Sequence, residues 1–338
     1  MPSPVRRFLL IAASLALAAL AVAATALADN AGFGPEAPHS PNAHRINDAY
    51  WLIFVFASVI FVLVVAFLVI FIVRYRSRGR ARTVEGTQVH GNTRLELIWT
   101  VIPVLILAAI ASFVFYKLPG ISDVPVAKKD RINIRVDARQ FYWQFTYPDG
   151  TISINTLHVP VHRVVYLELH GWDVIHSFWV PQLGGKTDVI PGRVNHTWFQ
   201  ADRVGTFYGN CAELCGIYHA KMPITVISEP QAQYTSFLAS ARPAAVLGKA
   251  EFQGVCQTCH GLAGAGGYGP PLAGNPLTQQ PAGIERITRQ GQQGNRGVMP
   301  PVARGWSAAQ MDALTAYMKT HLKNPVAAGA TSGGSGGG

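Results

Sequence analysis

Two long apolar runs restrict the fold of this chain more than any other feature. Residues 49–73 contain 25 uncharged residues, roughly 37 Å of helix at ~1.5 Å per residue, enough to cross a hydrocarbon core of about 30 Å. Residues 97–116 form a second run, broken only by Pro103, which a membrane helix tolerates when its neighbours satisfy the freed carbonyl. Between them lie Arg74, Arg76, Arg78, Arg80, Arg82 and Arg94. A short loop this basic stays on the cytoplasmic side, so the expectation is a two-helix hairpin with a cytoplasmic loop at 74–96 and both flanking parts outside.

The first 28 residues read as a secretory signal peptide. Arg6 and Arg7 precede an apolar stretch over 8–22, and Ala26-Leu27-Ala28 supplies small residues for cleavage. Residues 29–48 then form an exported N-terminal segment. The chain carries a formal net charge of +10, but much of the surplus sits in the short basic loop. No basic stripe interleaved with aromatics occurs, which argues against nucleic-acid binding. All four cysteines fall in the exported part, where disulfides can form. Pairs Cys211–Cys215 and Cys256–Cys259 would close very small loops with little gain, and such close pairs are more often redox or metal sites.

After residue 116 the pattern changes. Ile132, Ile134 and Val136 alternate with Asn133 and Arg135, and Val165, Leu167 and Leu169 with Tyr166 and Glu168. Turn signals recur at Pro148-Asp149-Gly150, Leu183-Gly184-Gly185 and Pro191-Gly192. Residues 125–228 therefore predict a small β-sandwich or barrel. A helical link at 229–243 leads to a second compact unit at 244–325, whose last helix opens on the capping box Ser307-Ala-Ala-Gln310 and carries Met311, Leu314 and Met318 on one face. The Gly/Ser-rich stretch 326–338 reads as a flexible tail.

Two short segments carry the chemistry. Cys211-Ala-Glu213-Leu-Cys215-Gly-Ile-Tyr-His219-Ala-Lys-Met222 gathers two thiols, an imidazole and a thioether. That set suits copper better than calcium or magnesium, which take oxygen ligands. Structural zinc does not recruit a thioether, and a thioredoxin-type pair is one residue closer and sits beside a βαβ unit. Copper sites in β-sandwiches also use a histidine from an earlier strand, and His176 in Asp173-Val-Ile-His176-Ser-Phe-Trp is placed for this. His158, His162, His170 and His196 lack such a motif and read as surface or packing residues. The second segment, Cys256-Gln-Thr-Cys259-His260, is the pattern for covalent c-type haem attachment.

The pair His176-Ser-Phe-Trp and Cys-x-Glu-x-Cys-Gly-x-x-His-x-x-Met resembles subunit II of the haem–copper cytochrome c oxidases. The resemblance implies a cupredoxin-like sandwich holding binuclear copper (CuA). Cys211 and Cys215 would bridge the coppers, His176 and His219 would each bind one, and Met222 and the Glu213 carbonyl would be weak axial ligands. It also places the Glu213 carboxylate at a magnesium shared with subunit I. Thr93-Arg-Leu-Glu96-Leu-Ile-Trp99 resembles the start of the family's second membrane helix, where the acid matching Glu96 sits at the mouth of a proton channel. Thr93-x-x-Glu96 is equally a capping box. Arg139-Gln140-Phe141-Tyr142-Trp143 resembles the family's aromatic stretch that receives electrons from a separate cytochrome c. Many members have Trp where this chain has Phe141, which puts docking of a soluble donor here in doubt; for Trp143 packing in the β core is expected.

Gly297-Val-Met299-Pro-Pro301 resembles the methionine loop of class I cytochromes c, so Met299 would be the second axial ligand opposite His260. Met311 and Met318 have core spacing instead. His/Met ligation raises the haem potential, as a donor to copper requires. The resemblance thus implies a transmembrane hairpin, a cupredoxin-like CuA domain and an all-α class I cytochrome c domain. Electrons would pass from haem c to CuA and on to subunit I, where oxygen is reduced to water with proton pumping. Implied partners are subunits I and III and a cytochrome bc complex or small cytochrome c, in a bacterial plasma membrane with the metal domains outside. A membrane-anchored copper-delivery protein also uses Cys-x-x-x-Cys plus His, but needs neither haem nor Met222. A quinol oxidase subunit II lacks the four CuA side chains, and nitrous oxide reductase requires a further large domain.

Overall fold

The computed structural model describes residues 34–76, 88, 91–295 and 297–323. The stretch 1–28 expected to be a signal peptide, most of the basic loop and the Gly/Ser tail lie outside them.

Helix α1 spans Pro41–Arg74 and α2 Thr93–Lys117. Both are long and apolar enough to cross a membrane, and their apolar windows are unburied by the protein itself. Helix α1 begins eight residues before the expected start at residue 49 because its first two turns are polar and meet protein rather than lipid. Pro41 opens the helix, where its missing N–H is no loss. The buried Asn42 amide donates to the Trp198 carbonyl (2.6 Å), and the Ser40 hydroxyl accepts from Gln200 N (3.1 Å). At the start of α2 the cap is Asn92, not Thr93: its side chain accepts from Leu95 N (3.1 Å), and Glu96 reaches back to Asn92 N (3.2 Å). The expected box is thus shifted by one residue, and Asn is the stronger cap. An ion pair between Lys117 and Asp48 (2.6 Å) joins the two helices.

Ten strands build the sandwich: β1 Ile132–Arg139, β2 Tyr142–Thr146, β3 Ile152–Ile154, β4 Thr156–Pro160, β5 Val165–Gly171, β6 His176–Trp179, β7 Thr187–Val189, β8 Val194–Phe199, β9 Gly205–Cys211 and β10 Pro223–Glu229. One sheet runs β3-β2-β1-β5-β8, the other β4-β10-β9-β6-β7. Strands β1 and β5 pair in parallel with Ile134 beside Leu167, so the two alternating runs bury the same face. Ile134, Val136, Leu167, Leu169, Phe207 and Val226 are fully or almost fully buried between the sheets. Truncating one such leucine to alanine costs about 2–5 kcal/mol.

Helix α3, Gln231–Ala241, lies on the sandwich through Tyr234, Phe237 and Leu238. Helix α4 (Ala244–Glu251) continues through a π-helical turn, Phe252–Cys256, into α5 (Gln257–His260). Then come α6 (Pro281–Gln290), the hairpin β11 (Gln292–Gly294) and β12 (Gly297–Met299), and α7 (Ala308–His321). The small hairpin is an addition to the expected all-α unit. The Ser307/Gln310 capping box forms as expected, and Met311, Leu314 and Met318 are buried. At Gly248 an added Cβ would lie 2.1 Å from the Ala313 carbonyl, so α4 and α7 cross in backbone contact.

This last unit does not hang from a linker. Tyr142 and Ile154 of the sandwich share one apolar core with Phe252, Val255, Trp306 and Leu314. Trp306 Nε1 donates to the Tyr142 hydroxyl (2.8 Å), which donates to the Val302 carbonyl (2.6 Å). Arg139 donates to the Arg304 carbonyl (3.0 Å), and Asn155 to that of Gly254 (3.1 Å).

Candidate metal centre

Strand β6 begins at His176 and β9 ends at Cys211, so adjacent strands of one sheet present the first two donors side by side. The chain then loops through Cys215, makes one 3-10 turn at His219–Lys221 and enters β10 just after Met222. Cys211 N donating to the Met222 carbonyl (3.1 Å) and Ala212 N to that of Ser177 (2.9 Å) close the loop onto the sheet.

All the donors named from sequence converge. The two cysteine sulfurs lie 4.0 Å apart, His176 Nδ1 is 3.9 Å from Cys211 and His219 Nδ1 is 3.7 Å from Cys215. Met222 Sδ is 3.9 Å from Cys215, and the Glu213 carbonyl oxygen is 3.3 Å from Cys211. His176, Cys211, Cys215 and Met222 are buried, while His219 and Glu213 are half-buried. Both thiols are unpaired, as are those of Cys256 and Cys259, so neither small disulfide forms. The hydrogen bond from the Cys215 thiol, aided by His176 against the opposing effect of burial, pushes Cys211 well below the usual thiol range. The same bond and burial push Cys215 up. Two soft sulfurs, each with its own imidazole and a thioether nearby, fit a thiolate-bridged copper pair.

Asp173, which carried no role in the sequence, orients this cluster. Its Oδ1 lies 2.8 Å from His176 Nε2, leaving Nδ1 toward the sulfurs, as carboxylates orient ligating histidines elsewhere. Burial is the largest single effect and opposes both charges. The Asp173–His176 bond, together with the Gln140 and Val174 N–H bonds to Asp173 and the Cys211 contact to His176, outweighs it, lowering the pKa of Asp173 and raising that of His176. Trp143 is fully buried and packs edge-on against His176 and Phe178, as expected for a core residue. Among the other histidines, His158 stacks on Phe237 (3.8 Å between centroids) and bonds Glu229 (3.2 Å).

A cavity of about 460 Å³ opens beside the cluster. Cys256, Cys259, His260 and Met299 line it. His260 Nδ1 lies 2.7 Å from the Pro270 carbonyl, which can only accept, so Nδ1 carries the proton and Nε2 keeps its lone pair for a metal. Two thiols, a histidine with a free lone pair and an apolar hollow fit a covalently held haem. Met311 stays in the core, whereas Met318 also touches the cavity from the core side. Gln140, Phe141, Ile217 and Tyr218 of the sandwich complete the wall. Of these, only Phe141 was singled out in sequence; partners 75 residues apart leave no local signal.

Glu96, at the start of α2, lies far along the chain from both clusters and contacts only its own helix turn among the described residues.

Comparison with known families places each part. Residues 28–116 match the transmembrane domain of cytochrome c oxidase subunit II and residues 152–229 its periplasmic domain. Residues 243–318 match the family described as cytochrome c oxidase, cbb3-type, subunit III. Cytochrome c oxidase subunit 2 of Alkalihalophilus pseudofirmus is 33% identical over 309 residues, covering 84% of this chain and 89% of the relative. That of Cereibacter sphaeroides is 33% identical over 252 residues, covering 62% and 80%. The crystal structure of the periplasmic domain of subunit II of cytochrome oxidase of Bradyrhizobium japonicum is 37% identical, with a TM-score of 0.33, and covers 35% of this chain and 96% of that one.

Proposed function

Because the chain belongs to the cytochrome c oxidase subunit II family and carries a cytochrome c-type domain behind its CuA domain, we propose that it receives electrons at a covalent haem c and relays them through CuA to subunit I. There oxygen is reduced to water with proton pumping. The observation that carries this reading is the shared wall: the cavity with the haem-attachment residues is closed by Gln140, Phe141, Ile217 and Tyr218, which adjoin the copper donors.

In this reading Cys211, Cys215, His176 and His219 would hold the copper pair, with Met222 and the Glu213 carbonyl as weaker donors beside them. Cys256 and Cys259 would tether the haem, and His260 and Met299 would supply donors to its iron. When bound, these groups supply one-electron redox chemistry with little change of geometry. The chain does the rest. Asp173 holds the His176 ring, Pro270 fixes the His260 tautomer, and the buried sulfurs keep water from the copper pair. The Glu213 carboxylate would meet magnesium at the subunit I interface. Glu96, capping α2, would serve as the mouth of a proton path into subunit I.

The chain would span a bacterial plasma membrane twice, with its metal domains outside. Residues 1–28 would be removed on export, and domains would run 125–228 and 244–325, joined by residues 229–243, which carry the sandwich-bound helix α3. Partners would be subunits I and III, with a cytochrome bc complex or small cytochrome c as donor. A copper-delivery role is disfavoured, because a labile site needs accessible thiols and both Cys211 and Cys215 are buried. Metal and pyridine-haemochrome analysis of the purified chain tests the reading. Two coppers and one covalent haem are expected, with copper lost on Cys215→Ser; a single copper, or haem extractable by acid–acetone, overturns it.

A further inference from the structure

The two-residue turn between β1 and β2 lies where the copper cluster and the haem cavity meet. Gln140 in this turn makes three contacts of different kinds. Its backbone N–H donates to Asp173 Oδ2 (2.7 Å), the carboxylate whose other oxygen holds His176 (2.8 Å). Its side-chain Nε2 donates to the Cys215 carbonyl (2.6 Å). The same residue lines the cavity with Cys256, Cys259 and His260. Gly216 makes the approach possible: it has φ +135, and an added Cβ would stand 3.0 Å from Gln140 Nε2 and 3.1 Å from the Phe141 ring.

Gln140 is therefore hydrogen-bonded to both ligand-bearing loops of the copper cluster while forming part of the haem wall. A second bridge runs beside it without hydrogen bonds. Phe141 meets Tyr218 edge-on (5.6 Å between centroids), and Tyr218 meets Tyr268 of the cavity wall (5.7 Å). A hydrogen-bonded path couples two redox groups better than one that jumps between rings in van der Waals contact.

Resting on the electron-relay function above, we propose that Gln140 is the positioning residue for transfer inside the chain, holding the haem wall against the Cys215 backbone so that electrons cross by the Gln140–Cys215 hydrogen bond. One electron moves in the step: the haem iron is oxidised, the copper pair is reduced, and no bond breaks and no proton moves. The aromatic stretch that faces outward in the resemblance is thereby turned to an internal donor.

The test uses the assembled oxidase. One electron is injected into haem c by a flash-activated ruthenium reductant, and its arrival at copper is followed in the near infrared. Gln140→Met keeps the length but not the donor, and is expected to slow this transfer roughly tenfold, the scale on which small losses of positioning act. The haem potential, the copper near-infrared band and the copper EPR spectrum should stay as in the parent. Phe141→Leu should slow transfer less. Unchanged transfer in Gln140→Met overturns the proposal, as does an equal loss in Phe141→Leu or a loss that merely follows a shifted potential. Should Gln140→Met not load copper, Gln140→Glu is read instead; copper loss in both overturns the proposal, since Gln140 would then hold the site together rather than couple it. Absence of any haem-to-copper transfer in the parent complex would instead sink the relay function itself.

Discussion

The copper cluster and the haem cavity are both built from soft ligands, yet they are built in opposite ways. The copper donors come from segments 35 residues apart, His176 and Cys211, brought together by neighbouring strands of a sandwich whose packed core already includes Cys211, Cys215 and Met222. The haem-attachment motif lies within five residues, Cys256–His260, and with the distant Met299 lines a hollow of about 460 Å³. A preformed site needs its metal for function, whereas a hollow site also needs its cofactor for packing. The second unit further depends on the first, since its core includes Tyr142 and Ile154.

The largest expected effect separates the two regions directly. Replacing both Cys256 and Cys259 by Ala should remove covalent haem and strip hydrogen-exchange protection from α4 to α7, while the sandwich strands keep theirs. Cys215→Ser should do the reverse of a collapse: copper is lost, but strand protection and thermal unfolding change little. Equal unfolding in both variants would erase the contrast.

A smaller effect probes the seam. Tyr142→Phe leaves Trp306 Nε1 and the Val302 carbonyl without their buried partner, at a cost of about 2–4 kcal/mol for two unsatisfied groups. Denaturant unfolding followed at the haem band should shift, with the copper band shifting only if the two units melt together.

The smallest effect is a pH dependence. Glu251 is fully buried beside Gln310, which donates to it (3.2 Å) and to Gln144 (3.0 Å). Burial pushes its carboxyl up to about 9, the Gln310 bond offsetting only part. Because the folded value is raised above the unfolded one, this group favours the folded state below the unfolded carboxylate range and loses that contribution as pH rises toward the folded value. Glu251→Gln should make the stability profile between about pH 6 and 7 less steeply falling than the parent's by about 1.4 kcal/mol per unit, the share that Glu251 alone contributes. No difference in slope between parent and variant there would mean that Glu251 ionises without penalty.

Much of this architecture can be read from residues that act locally. The alternation of Ile132–Val136 and Val165–Leu169 is a property of single strands, and both runs became core-facing strands of one sheet. The Ser307/Gln310 box and the donors from Cys211 to Met222 lie within a few residues of each other, so spacing alone points to them. His176 is less accessible, because one histidine among eleven becomes a donor only through the strand that carries it beside Cys211. Hydropathy marked where α1 meets lipid but not Pro41, where it begins, since those first turns are polar and bind the sandwich. Gln140, Tyr218 and Tyr142 were silent for a related reason: their partners lie far off in the chain, on a seam that no local pattern describes.

One strand residue ties the exported part to both membrane stems. Trp198 receives the Asn42 amide of α1 on its carbonyl and gives its indole N–H to the Ile121 carbonyl just beyond α2 (2.9 Å). A single strand residue thus grips both stems at their outer ends. Nodding or swivelling of the sandwich on either helix would break one of these bonds, so a change in stem tilt would be passed on to the sandwich. The height of the metal-binding sandwich above the lipid is thus set in part by the protein's own stems.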